Sequence, residues 1–280
     1  MTKRKLIGIF IFALVFMLLG RNLAFLPKIS LQKNYTSGIE QKVRNYIKDK
    51  PGNYGIYFED LNSGQNFSIN GKEIFTVGSI NKVPIIAVLY YLDNKGEISL
   101  DSKVTIQKKD IQDYGTGSLR YAKPGGNYSL KNLARLSLVQ SDNTAAHIIG
   151  VKIGTDKIQK IINSWGLTQT DMTNNKTSAF DMSIIFKKIY KGEITNNAKT
   201  QELLEFLTKS DFEDRLPVLL PKQTTVYHKT GDAEGIVSDV GIIKNEHKLY
   251  YLGILTTDVA DKENLTKKTI SEISEMVYKY

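Results

Sequence analysis

Ser79 and Lys82 stand three residues apart at the start of an apolar run, Val83 to Leu92, that is too long for a typical strand and reads as a buried helix. On a helix this spacing puts a hydroxyl and an amine on one face, within side-chain reach. A serine hydroxyl is a poor nucleophile until a base takes its proton. A lysine serves as that base when burial and a neighbouring positive charge lower its pKa. The helix N-terminus adds backbone N–H groups and a positive potential that can hold a developing oxyanion. The same spacing occurs at Ser30 and Lys33, in a polar stretch where it reads as solvated side chains. The pair alone is therefore no more than a capped helix start.

Two further groups change its meaning. Ser141-Asp142-Asn143 falls between two predicted helices, and Lys229-Thr230-Gly231 falls at the end of a predicted strand that leads into a turn. Taken singly, the first reads as a helix cap and the second as a strand end. Taken in order, 62 and then 88 residues apart, the three groups resemble the motif set of penicillin-recognising serine enzymes. The flanks Ser-Ile-Asn-Lys-Val-Pro-Ile, Ser-Asp-Asn-Thr-Ala-Ala and His-Lys-Thr-Gly are similar to class A β-lactamases and their relatives. So is Gly115-Thr116-Gly117-Ser118-Leu119. The resemblance covers about residues 37–280.

The resemblance implies that Ser79 is acylated and that Lys82 activates it. Ser141 would relay the proton to the leaving nitrogen, and Asn143 would hold a substrate amide. Lys229 would supply positive charge, Thr230 a hydroxyl for the substrate carboxylate, and Gly231 would complete the binding segment. The backbone N–H groups of Ser79 and Asp232 would form the oxyanion hole. Two lysines near one serine repel, which pushes Lys82 toward its neutral, basic form.

The pattern breaks in two places. Class A enzymes release the acyl group with a glutamate on a loop between the second and third motifs, and this chain has no glutamate between Glu97 and Glu193. The corresponding stretch, Thr168 to Thr177, is short. Asp171 and Asp181 are nearby carboxylates outside any matching motif, and both read as groups that cap or solvate a helix start. The family also often steadies the substrate carboxylate with an arginine after the third motif, and none follows Arg215. Carboxylate recognition would then rest on Lys229 and Thr230, without a bidentate clamp. A positioned general base contributes roughly 10²–10⁴-fold, so acylation by a β-lactam is expected with slow release. The alternatives are a D-alanyl-D-alanine carboxypeptidase or penicillin-binding protein acting on cell-wall peptides, a non-catalytic β-lactam sensor, and a binding pseudoenzyme.

Composition narrows the field further. Hydrophobic residues make up 41% and charged residues 24% of the 280, enough for a sizeable core. Cysteine is absent, which removes disulfides, thiolate zinc sites and cysteine nucleophiles. The three histidines are far apart, so no local metal cage is expected, and no cofactor is implied. The net charge of +9 does not indicate nucleic acid. Six basic residues and no acid lie in residues 1–33, leaving 32 bases against 29 acids elsewhere. Lys3, Arg4 and Lys5 precede a 14-residue apolar run, Leu6 to Leu19. Residues 1–27 therefore read as a signal anchor, or a signal peptide if cleaved, followed by a linker over 28–36 and one domain over 37–280. The domain is expected outside the cytoplasmic membrane, anchored or secreted, and monomeric.

Around the motifs, strand character comes early (Tyr54, Ile56, Phe58, then near Phe67) and late (Thr224–Lys229, Ile236–Ile243, Lys248–Thr256). Helical patterns over Leu130–Leu138, Thr144–Ile153, Ile158–Ile162 and Ala179–Tyr190 lie between. Helices at Ile39–Ile47 and Lys262–Tyr278 close the two ends. This order predicts an α+β fold of the β-lactamase/DD-peptidase kind: an antiparallel sheet flanked by N- and C-terminal helices, with an inserted all-helical region. Among the other residues, His147, one turn past Asn143, is expected in the core or backing the site residues rather than catalytic, His228 packs away from Lys229, Trp165 ends a helix, and Tyr114 is a candidate for the cleft mouth. Pro84 is expected to cost one helical hydrogen bond.

Overall fold

The computed structural model describes residues 36–280. The signal segment at 1–27 and residues 28–35 of the linker lie outside the described residues. Five strands form one antiparallel sheet in the order β2-β1-β9-β8-β7: β1 (Asn53–Asp60), β2 (Asn66–Ile69), β7 (Thr225–Ala233), β8 (Ile236–Lys244) and β9 (Leu249–Thr257). Period-2 alternation sorts their side chains between two cores. Tyr54, Ile56 and Phe58 of β1, with Tyr250, Leu252 and Ile254 of β9, face α1 (Ser37–Ile47) and α8 (Glu263–Lys279). There they meet Ile39, Val43, Ile270, Ile273 and Val277. Tyr57, Tyr251 and Leu255 face the opposite way, into the core of the helical region.

That region is built around α2 (Lys82–Asn94). Nine of its thirteen residues are buried on every side of the helix, as expected of an element wrapped by others rather than an amphipathic surface helix. It is wrapped by α3 (Leu130–Val139), α4 (Asn143–Ile153), α5 (Thr155–Ser164), α6 (Ala179–Tyr190) and α7 (Asn197–Thr208). Their N-termini are set by side-chain caps: Ser129 on α3, Asp142 on α4, Ser178 on α6 and Asn196 on α7. Two short ribbons, β3 (Phe75–Thr76) with β6 (Lys176–Thr177) and β4 (Lys103–Thr105) with β5 (Asn127–Ser129), tie the connecting loops together.

Two expectations need correction, and one element is new. Lys229-Thr230-Gly231 does not end its strand. β7 runs on to Ala233, pairing with β8 through the Ala233–Ile236 register, and turns at Glu234 and Gly235. Pro84 falls in the first turn of α2, where the backbone nitrogen has no i−4 acceptor to satisfy, so it removes no helical hydrogen bond. The helix α7, which the sequence analysis does not include, carries only a weak sequence signature. Its mixed face, Leu203, Leu204, Phe206 and Leu207 among Gln and Glu, packs into the core only in the tertiary context.

Two glycines decide how closely the sheet approaches α2. Ser79 lies in a 3₁₀ turn, Gly78–Asn81, that leads into the helix and presses against the free edge of β7. A Cβ on Gly231 would come within 2.2 Å of the Val77 carbonyl oxygen and 2.7 Å of the Ile80 side chain. A Cβ on Gly78, whose φ is +54°, would lie 2.6 Å from the carbonyl oxygen of Asp232. Both positions are thus fixed as glycine by contact, the second also by backbone conformation. Replacing Gly231 with alanine should lower the unfolding free energy by about 1–3 kcal/mol, the usual range for overpacking. Chemical denaturation measures this, and a variant as stable as the parent would show that the turn is not clamped against β7.

Candidate active site

The three motif segments meet in one cleft of about 1250 Å³, whose lining includes Ser79, Lys82, Ser141, Asn143, Thr230 and Asp232. Each is delivered by a different element. Ser79 sits on the 3₁₀ turn and Lys82 on the first residue of α2. Ser141 lies in the turn between α3 and α4, Asn143 starts α4, and Thr230 and Asp232 lie on β7. Gly231 does not line the cleft. Its place is the close approach of β7 to Val77 and Ile80, so its expected part in substrate binding becomes one of letting the edge strand come near.

Lys82 Nζ is the hub. It lies 2.9 Å from Ser79 Oγ, 3.2 Å from Ser141 Oγ and 2.6 Å from Asn143 Oδ1, and also contacts the Ser141 carbonyl oxygen. An ammonium has three hydrogens for these four oxygens. A neutral amine can instead accept the Ser79 hydroxyl proton across the same 2.9 Å. Lys229 Nζ approaches from the other side, 3.0 Å from Ser141 Oγ and 2.9 Å from the Thr230 carbonyl oxygen. The Ser141 hydroxyl therefore bridges two lysine nitrogens.

Burial sets the charge of this group. Lys82 is lowered to about 6, first by burial and then by the charge of Lys229, with Asp142 opposing. Lys229 is wholly buried and lowered to about 7, again chiefly by burial, with Asp239 opposing and Arg215 adding to the fall. Beneath them, His228 is wholly buried with Nδ1 2.9 Å from Asp239 Oδ1. Burial opposes its charge, yet Asp239 and Glu213 hold it up at about 9, so it is an imidazolium at neutral pH. His228 and Lys229 alternate along β7, which is why one faces Asp239 and the other the cleft motifs.

Ser141 has a left-handed backbone, φ +54°, a conformation that non-glycine residues seldom hold. It turns the carbonyl as well as the hydroxyl toward Lys82, and Thr116 Oγ1 donates to the same carbonyl at 3.0 Å. The loop over Tyr114–Gly117 is tied to this segment. Asn143 Nδ2 donates to the Tyr114 carbonyl oxygen, and buried Asp142 accepts from the backbone N–H groups of Ala145 and Leu119. Tyr114 is exposed at the cleft rim. Of the two places expected for His147, the core is not the one it takes: it is exposed and lines the cleft on the face of α4 that turns away from α2.

Neither aspartate considered as a hydrolytic base reaches the cleft. Asp171 is half-buried and closes its own turn, accepting from the backbone N–H groups of Thr173 and Asn174 and from the Asn174 side chain, which holds its pKa below the ordinary value. Asp181 lies in the first turn of α6. Burial raises its pKa, and its Oδ2 accepts from Gln169 N and Thr170 Oγ1. In their stead the cleft corner beside Ser79 holds amides. Asn81 Nδ2 donates to Asn175 Oδ1 at 3.0 Å, and Asn81 Oδ1 is buried without a protein partner.

The sequence reading missed Arg215 as part of this neighbourhood. It is wholly buried beside Lys229, and its Nη2 sits 2.7 Å from each carboxylate oxygen of Asp232. Its position before the third motif, with no obvious partner in the sequence, gave no sign of this. Among the described residues there is no group of three or more His, Asp or Glu side chains that could hold a metal ion, and no helix long and apolar enough to cross a membrane.

The profile of the Beta-lactamase enzyme family matches residues 38–280. The chain belongs to that family. It is 25% identical over 275 residues to β-lactamase VEB-1 of Pseudomonas aeruginosa, covering 88% of this chain and 91% of that protein. The solved structure of PBP-A superposes with a TM-score of 0.81 at 27% identity, covering 87% of this chain and 95% of that one. A leucine-to-glutamate variant of PBP-A, solved as its acyl-enzyme complex with penicillin G, gives 0.79 at 26% identity, covering 87% and 96%. The protein is thus a serine hydrolase of the β-lactamase type with the α+β fold of these enzymes.

The two lysine pKa values give the pH dependence of this β-lactamase-type site. With Lys82 acting as the base and Lys229 as the neighbouring cation, the rate of Ser79 acylation should rise as pH passes about 6 and fall again above about 7. The two limbs belong to the coupled pair rather than to either residue alone. Rates of Ser79 acylation measured from acid to alkaline buffers should trace a narrow bell. A profile flat through neutrality would remove Lys82 as the base.

Proposed function

We propose that the protein is an extracytoplasmic class A β-lactamase-like serine hydrolase that opens β-lactams on Ser79 and releases the acyl group slowly. The observation that carries this is the 2.9 Å approach of Lys82 Nζ to Ser79 Oγ, with Ser141 Oγ between the two lysines. Lys82, neutral, takes the hydroxyl proton as Ser79 Oγ attacks the lactam carbonyl. The backbone N–H groups of Ser79 and Asp232 hold the oxyanion, one from the turn before α2 and one from the free edge of β7. As the tetrahedral intermediate collapses, the C–N bond breaks and the Ser141 hydroxyl passes a proton to the nitrogen, replenished from Lys82. Asn143 aligns the side-chain amide of the substrate, and Thr230 donates to its carboxylate.

Release needs a base that activates water, and such a group is worth roughly 10²–10⁴-fold. Amides stand at the corner where it would act, beside Asn81 and Asn175, and both nearby aspartates are turned away. This favours a second reading of the same chemistry, a penicillin-binding protein or D-alanyl-D-alanine carboxypeptidase on cell-wall peptides. The similarity to PBP-A fits it. The apolar N-terminal run with its basic flank supports a location outside the membrane.

Intact-mass spectrometry over time tests the proposal. One β-lactam should add to the protein and persist for hours, and Ser79→Ala should abolish the adduct without lowering the melting temperature. Release within seconds would show that a water-activating group does operate. An adduct on the Ser79→Ala variant would remove the serine from the mechanism.

A further inference from the structure

The cleft runs on past the acylation residues along α4. Asn143, Ala146, His147, Gly150 and Val151 all line it, and steps of three and four residues mark one face of a helix. From Asn143 to Val151 this face extends about 12 Å, at about 1.5 Å per residue. Ile85 on α2 and Met172 in the loop before β6 line the same cleft. The charged lining residues are Lys82 beside Ser79, Asp232 on β7, and Glu263 and Lys267 on α8. None belongs to α4 or to the loop carrying Met172. Lys152 and Asp156, close by in sequence, are exposed and do not line the cleft. Gly150 stands out because nothing structural asks for a glycine there. It lies inside α4 without a left-handed φ, and a Cβ placed on it would meet nothing within 4 Å. Glycine inside a helix is unfavourable, and here its one evident effect is to leave the cleft open. Asn81, one turn before Ile85, also lines the cleft. It is 4% exposed, and its Oδ1 has no donor among the described residues, so an N–H on a ligand would satisfy it.

We propose that this extension along α4 is a subsite for the acyl side of the donor, selecting an extended, uncharged peptidyl arm with apolar side chains. The proposal rests on the serine acylation described above and names the substrate class of that same site. The occupant follows from continuity: Asn143 aligns the amide next to the carbonyl that Ser79 attacks, and the same helix face leads on from it. An arm bonded to that carbonyl therefore enters the groove with its first amide already held. An extended chain advances about 3.3–3.6 Å per residue, so the groove takes an arm of three or four residues. Ile85, Val151 and Met172 offer apolar surface, and Asn81 Oδ1 offers an acceptor for an arm N–H. A charged arm would give up hydration there and gain no counterion.

The test uses 6-aminopenicillanic acid acylated with acetylglycine, with acetyl-Leu-Leu-Gly or with acetyl-Glu-Glu-Gly, and reads the second-order rate of adduct formation on Ser79. The Leu-Leu arm should react about ten-fold faster than acetylglycine, the worth of burying one leucine. The Glu-Glu arm, equally long, should show no gain. Gly150→Leu blocks the groove from a position with room for the side chain, and Val151→Asp sets a charge in it from a position that is 68% exposed. In both variants the ratio of the Leu-Leu rate to the acetylglycine rate should fall to within about two-fold of one, the usual scale of a surface effect. A general disturbance of the fold would slow the probes together and leave the ratio alone. Equal rates for all three probes in the parent, an equal gain for the Leu-Leu and Glu-Glu arms, or a ratio that survives in both variants would overturn the subsite, while the adducts themselves would keep the serine chemistry. No Ser79 adduct with any of the three would overturn both.

Discussion

The structure turns on the burial of two lysine nitrogens around one serine hydroxyl. Keeping an ammonium out of water is unfavourable, and keeping two within contact of the same oxygen is more so. The system answers by letting protons go: Lys82 falls to about 6 and Lys229 to about 7, so that near neutrality the pair shares charge instead of carrying two. A lysine that is neutral at neutral pH is what a serine needs as a base. The lowered pKa of this amine is thus the result of its burial and of the neighbouring charge of Lys229, not of any special feature of the amine.

Everything near the pair serves to hold that desolvation. Asp239, which pulls Lys229 back toward its charged form, is itself held by the buried imidazolium of His228, and Arg215 is matched by Asp232. The charges under the cleft therefore form a chain in which each has a counterion or a hydrogen bond. The backbone completes the enclosure. β7 can reach the turn carrying Ser79 only because Gly78 and Gly231 leave no Cβ between them. The amide edge of the strand and the nucleophile come together for a steric reason as much as an electrostatic one.

Much of this was legible in the sequence, for reasons that can be traced. The hydroxyl and amine three residues apart, the Ser-Asp-Asn turn and the Lys-Thr-Gly strand are short, local and chemically distinctive, and the structure puts all three in one cleft. The antiparallel sheet with helices at both ends followed from the alternation of Tyr54, Ile56 and Phe58 in β1, the apolar run of β9 and the period-3.6 pattern of α6. What escaped notice depends on distant partners. The extension of β7 past Gly231 is set by pairing with β8, α7 is held by its neighbours more than by its own pattern, and the exposure of His147 follows from which face of α4 meets α2. Arg215 is the clearest case. A lone arginine far from any motif acquires meaning only when Asp232, 17 residues on, is seen across its guanidinium.

The left-handed backbone at Ser141 shows how sequence freedom is narrowed here. By conformation alone the position would suit glycine or asparagine, yet it is the serine hydroxyl that spans the two lysine nitrogens. The chain thus keeps a residue that its own main chain disfavours, held by Thr116 and Lys82 on the carbonyl and Lys229 on the side chain. Glycine or asparagine at 141 would ease this turn but remove the hydroxyl between the lysines, and loosening its surroundings would let the turn relax. The site is for that reason guarded from two directions at once, and drift at residue 141 has almost nowhere to go.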